Sequence, residues 1–142
     1  GLKGISFREQ AGLDEFGIEF IDCKADKFID TYWRYENVLF GHFNKVCSKS
    51  GQAASYLLDA YGMSLIQAHV HSMGFVNKTI ETGAIEAWEG GCLCDLNPHY
   101  CRPKNWMQGW HVVHHEVGGS FFHVEPVMIV GHKYRYGGIL VV

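Results

Sequence analysis

Cys47-Ser48-Lys49-Ser50-Gly51-Gln52-Ala53-Ala54-Ser55-Tyr56-Leu57-Leu58-Asp59-Ala60-Tyr61-Gly62 reads as a helix with a thiol in its first turn. Ala53, Ala54, Leu57, Leu58 and Tyr61 make the apolar stripe, and Gly62 supplies the stop. Small residues at Ser50, Gly51, Ala53 and Ala54 let such a helix pack close to a sheet. A helix N-terminus carries about half a positive charge, which favours thiolate over thiol. Cys47 is therefore the candidate nucleophile.

A nucleophile needs a base and an orienting acid. The run from Trp110 to Pro126 is β-rich on both sides of Gly118-Gly119 and predicts a hairpin, with His111 near the start of one strand and Glu125 near the end of the next. A two-residue turn at Gly118-Gly119 would put His111 and Glu125 on opposite faces. A three-residue loop over Val117 to Gly119 would align them. His111 is selected as base by its position relative to Glu125-Pro126, with His114, His115, His123 and His132 as competitors. Asn44 and Gln52 are the nearest amides for an oxyanion hole, and Trp33 is the runner-up donor.

These pieces resemble the catalytic core of the transglutaminase-like group of papain-type folds: a cysteine opening a small-residue helix that ends in Gly, a strand over Leu65 to Phe75, a His-strand from His111 to Val117, and an acid-Pro strand from Phe121 to Pro126. Glu125-Pro126 stands where the family has Asp-Pro, and Val113 where it carries an aromatic. The resemblance implies an α+β papain-like domain, with N-terminal helices packed on an antiparallel sheet or half-barrel. It also implies a cysteine-dependent hydrolase or acyltransferase acting on amide or peptide bonds of a peptide or protein substrate. Cys47, His111 and Glu125 would form the triad, a thioester the intermediate, and no cofactor would be required.

Composition bounds the alternatives. A chain of 142 residues with 47% hydrophobic and 19% charged residues is expected to fold as one domain, 1–142, around one core. The net charge is −3, and the 12 lysines and arginines are scattered without a cluster, so neither nucleic acid nor an anionic membrane is expected as a partner. No run approaches the ~20 apolar residues of a membrane-spanning helix. A chain opening on Gly1 is expected to be a processed product or an excised domain.

Along the chain, Gly1 to Gly17 reads as loop. Phe28, Ile29, Tyr32, Trp33, Tyr35, Leu39 and Phe40 recur at helical spacing and predict an amphipathic helix from Ala25, broken near Asn37 or Gly41. Ser64 to Val76 predicts a strand, Asn77 to Gly109 a long loop over the site, and the C-terminal run a final strand pair ending in the sheet.

Two metal readings stand beside the thiol. Cys92-Leu93-Cys94 with His99 and Cys101 offers four soft ligands for a structural zinc, or else a disulfide from one of the pair to Cys101 or Cys23. In that case the chain is a non-catalytic binding domain with its zinc or disulfide cluster at residues 92–101. His69-Val70-His71 puts two imidazoles on one strand face, and with His111 would make a metal triad. Asn77-Lys78-Thr79 is a glycosylation sequon, meaningful in a secreted chain.

Overall fold

A computed structural model describes residues 9, 11–19, 21, 31–100 and 105–142. The expected helix from Ala25 falls partly outside these, as do Cys23, Cys101 and most of the expected N-terminal loop. Where the helix is described it is a β-hairpin, β1 (Tyr32–Tyr35) and β2 (Val38–Gly41), with Trp33 opposite Phe40 and Tyr35 opposite Val38. Tyr32-Trp33-Arg34-Tyr35 is aromatic-rich and suits a pleated surface. Glu36, in the left-handed region at φ 49°, turns the chain. The apolar spacing that suggested a helix comes from residues on both sides of that turn.

The expected papain-like architecture is corrected with it. The described residues are mostly β, in two sheets, with one helix of regular length, α1 (Gln52–Tyr61), instead of N-terminal helices packed on one sheet. The helix begins five residues after Cys47, and Gly51 at φ 79° is its N-cap. Gly62, at φ 62°, closes it by donating its N–H to Leu58 O, as its sequence position foretold.

The first sheet has the order β1-β2-β3-β5-β4, with β3 (Ser64–Gln67), β4 (Met73–Ile80) and β5 (Gly83–Gly90). The predicted strand from Ser64 to Val76 is thus two, broken at 68–72, and much of the predicted loop from Asn77 is the β4–β5 hairpin. Its three central strands, β2, β3 and β5, run parallel. The antiparallel β1 and β4 flank them. α1 is the crossover that makes β2 and β3 parallel, since a tight turn cannot join parallel neighbours.

Register explains where the core lies. Leu39, Leu65, Ala87 and Val76 pair across β2, β3, β5 and β4 and form one row beneath α1. With Phe43, Ala54, Leu57 and Leu58 they make the main hydrophobic cluster. Burying a leucine or phenylalanine is worth about 1.5–3 kcal/mol. This row therefore holds the helix to the sheet.

Two residues further along the same face comes a different row: Gly41, Gln67, Glu89 and Gly74. It lies under the start of α1, where the backbone approaches so closely that a Cβ on Gly74 would fall 2.3 Å from Gly51 N and 2.8 Å from Glu89 Oε2. The opposite face carries Phe40, Ile66, Trp88 and Phe75.

The second sheet, β6 (Gly109–His115), β7 (Phe122–Val130), β8 (Lys133–Tyr136) and β9 (Ile139–Val141), is an antiparallel meander. The predicted hairpin and final strand pair are both present in it. No described helix is long and apolar enough to cross a membrane.

Gly74→Ala is expected to push the start of α1 off the sheet and to cost about 1–3 kcal/mol, the usual range for overpacking a tight interior. Urea unfolding of the variant and its parent measures it.

Candidate metal centre

The three parallel strands end side by side, and each is followed by residues that ligate metals. β2 ends at Gly41 and gives His42. β3 ends at Gln67 and gives His69 and His71. β5 ends at Gly90 and gives Cys92 and Cys94. In open α/β sheets, ligands bind beyond the carboxyl ends of the strands, where loops from adjacent strands converge.

His42 and His69 face each other, with ring centroids 4.4 Å apart and His69 Nδ1 3.4 Å from His42 Nε2. Two imidazole nitrogens on one tetrahedral zinc, each about 2.05 Å from the ion, lie about 3.3 Å apart. The pair already stands at ligand spacing. Burial, then the neighbouring His42 and His71, lower the His69 pKa from 6.5, which disfavours its charged form, and the neutral imidazole is the form that binds a metal.

Beside them His71, Cys92 and Cys94 form a group that can hold a metal ion, their ligand atoms all within 4.8 Å of one another. Cys94 Sγ lies 4.0 Å from His71 Nδ1. Burial, followed by the hydrogen bond with Cys94, raises the Cys92 thiol above its ordinary value. His71 sits in the left-handed region at φ 58°, and so does Phe43 at φ 48°, next to His42. Each imidazole-bearing loop thus turns sharply as it leaves its strand.

The backbone beneath is laced together. Met107 N–H donates to His71 O, Cys92 N–H to Met107 O, Gly109 N–H to Cys92 O, and Gly91 N–H to Ser72 O, all at 2.9–3.0 Å. Below this, Glu89 is fully buried and accepts from Gly51 N–H at 2.7 Å, Ala54 N–H at 3.1 Å and Ser72 Oγ–H at 2.7 Å. One carboxylate thereby fixes both the start of α1 and the loop carrying His69 and His71.

The residues proposed for thiol chemistry lie elsewhere. Cys47 is a free, half-buried thiol in the loop ahead of α1, and two of the N–H groups at the helix start, those of Gly51 and Ala54, are engaged by Glu89. His111 pairs with Pro126 and Glu125 with Val112, which is the register of a two-residue turn and sends the two side chains to opposite faces. Glu125 instead accepts from Gly137 N–H at 3.3 Å and lies 3.5 Å from His114 Nε2. His111 packs edge-on against Trp88, its Nδ1 buried without a partner, and burial lowers its pKa.

Asn44 is exposed in the loop after β2 and Gln52 is exposed at the first position of α1. Trp33 stands on β1 against Tyr35 and Phe40, not on a helix. In the metal readings, His71 takes the place expected of His99, which is exposed, and Cys101 lies outside the described residues. His111 is not part of the described metal-holding group with His71. Cys92 and Cys94 are free thiols, and a disulfide to Cys101 or Cys23 concerns residues outside those described.

Reading the sequence missed His42. Its signal is an apolar run, Val38-Leu39-Phe40-Gly41, that stops at a histidine, echoed by Leu65-Ile66-Gln67-Ala68 before His69. Against known proteins, the chain matches no family model, no curated protein and no solved structure.

Glu89→Gln keeps the shape but replaces an acceptor-only group with one that faces an N–H or hydroxyl with its own amide. A loss of about 1.5–3 kcal/mol is expected, the range for hydrogen bonds to a charged group, read from urea unfolding. A second expectation concerns pH. His69 and His111 titrate below 6.5 in the folded protein, so the unfolded chain takes up their protons first. Stability is then complete above about pH 7 and falls as pH drops through 6.5. His111→Phe should flatten that fall in a plot of unfolding midpoint against pH.

Proposed function

We propose that this domain is a metal-dependent hydrolase whose ion is held by His42 and His69, with His71 beside them, at the ends of β2 and β3. The observation that carries the reading is the convergence of imidazoles from adjacent parallel strands, two of them already at ligand spacing. His42 is exposed, so a bound ion keeps a position open to solvent. That is the mark of a catalytic rather than a closed structural site. An ion held by His42 and His69 would supply Lewis acidity there, lowering the pKa of a bound water toward neutral pH.

Phosphate esters are the substrate class that suits the site best. Their charged oxygens bind the ion directly, and in a chain without a cluster of lysines or arginines the ion supplies the positive charge. Carbonyl substrates ask for an oxyanion hole, and two of the N–H groups at the start of α1, those of Gly51 and Ala54, are already bound by Glu89. The same engagement, and the separation of His111 from Glu125, leave a Cys47 hydrolase or acyltransferase with less to rest on.

A second reading is favoured by the His71, Cys92 and Cys94 group: a zinc of purely structural role, stapling the segment after β5 to the loop after β3, in a binding domain without catalysis.

Chelator-stripped protein reconstituted with manganese, magnesium or zinc, and assayed on p-nitrophenyl phosphate, bis-p-nitrophenyl phosphate and a peptide anilide, separates these. The expected outcome is ester hydrolysis that returns with a divalent ion, falls by about 100-fold or more in His69→Ala, and survives Cys47→Ser. Peptide cleavage that is insensitive to chelator and lost in Cys47→Ser would reinstate the thiol mechanism. Bound zinc with no turnover would favour the structural reading.

A further inference from the structure

The geometry points to a second metal site of different chemistry beside the imidazole pair, in which His71 Nδ1, Cys92 Sγ and Cys94 Sγ take a thiophilic ion, zinc foremost, and withdraw His71 from His42 and His69. The inhibitory half of this inference rests on the hydrolase reading above. The site itself does not.

The distances are those of a site needing little adjustment. On a tetrahedral zinc, a thiolate sulfur and an imidazole nitrogen stand about 3.6 Å apart and two thiolate sulfurs about 3.8 Å apart. Here the sulfur–nitrogen separation is 4.0 Å for Cys94 and His71, and no pair in the group exceeds 4.8 Å. Side-chain rotations that close the ligand atoms by about 1 Å or less complete it.

The ligands are also held in place. The backbones of His71 and Cys92 both bond to Met107, Gln108 Nε2 donates to the Cys94 carbonyl at 2.9 Å, and the His71 ring stands edge-on to Trp106 with centroids 4.4 Å apart. Cys94 is exposed, which gives an ion a way in and leaves a fourth position to water.

Softness separates the two sites. Two sulfurs and one nitrogen select zinc, cobalt or another thiophilic ion over magnesium, calcium or manganese, while an all-imidazole set discriminates less. A neutral imidazole has one lone pair for a metal. His71 therefore serves one ion at a time, and zinc bound by the thiolates fixes the loop after β3 that also carries His69. Binding proceeds with loss of a proton from each thiol to solvent and no change of oxidation state.

Cobalt(II) titration followed by absorbance reads the thiolates directly. The full chain is expected to develop a sulfur-to-cobalt charge-transfer band that saturates at about one equivalent. Zinc should bleach it, Cys92→Ser/Cys94→Ser should abolish it, and His42→Ala should retain it. With manganese-loaded protein, zinc should slow ester hydrolysis by about tenfold or more, and the ratio of rates with and without zinc should return to near one in the double serine variant.

No band, or a band that persists in the double variant, would overturn the site. A band lost in His42→Ala would mean a single merged centre and would overturn the second site as well. Equal zinc inhibition in parent and double variant would overturn the inhibitory role. Absence of hydrolysis with every ion would sink the hydrolase reading and that role together, while the cobalt band still decides the site.

Discussion

The buried carboxylate of Glu89 is the constraint on which the rest depends. It sits at the end of a central strand, fully enclosed, and its acceptors are used by two backbone N–H groups at the start of α1 and by the Ser72 hydroxyl. A charge in such a place is tolerated only when it is hydrogen-bonded. The unpaired N–H groups of a helix start are among the best available donors for an anion. Glu89 thereby does to the helix what a side-chain cap would do from within it, and Gly51 has no side chain with which to do so. Gly74 leaves the space that makes the approach feasible.

From that clasp the geometry of the candidate centre follows. Ser72 adjoins His71, so anchoring its hydroxyl anchors the loop that leaves β3. Gly91 donates to Ser72 O and Cys92 to Met107 O, so the segment after β5 is tied to the same loop and to the entry into the second sheet. The strand ends bring five possible ligands into one neighbourhood: two facing imidazoles, then an imidazole with two thiols. Electrostatics acts in the same direction, since burial and neighbouring histidines disfavour the charged form of His69.

Much of this was legible in the sequence, and what was not has physical reasons. The α1 stripe, its Gly62 stop, the β6–β7 hairpin and the last strand pair all follow from periodicity and turn chemistry. The β1–β2 hairpin was hidden because its turn uses Glu36 in the left-handed region instead of a Gly or Asn signal. Likewise the break after β3 falls at His71, a non-glycine residue at positive φ. Glu89 falls in the run from Asn77 to Gly109 that reads as a long loop, because nothing local announces that a helix end will come down on it. Cys47 reads as a helix-start thiol, whereas the helix starts at Gln52 and two donors at its start serve Glu89. The sequence pairs His69 and His71 with His111 and passes over His42, because the actual grouping depends on β2, β3 and β5 being parallel neighbours. Sequence adjacency does not carry that relation.

The central claim is that His42 and His69 are ligands to one ion. Long-range nitrogen–proton correlation spectra of the histidine rings, recorded during zinc titration of nitrogen-labelled protein, test it most directly. The account predicts that one ring nitrogen of His42 and one of His69 move together to metal-bound shifts. Zinc that moves the His71 ring alone, leaving His42 and His69 where they began, would contradict it.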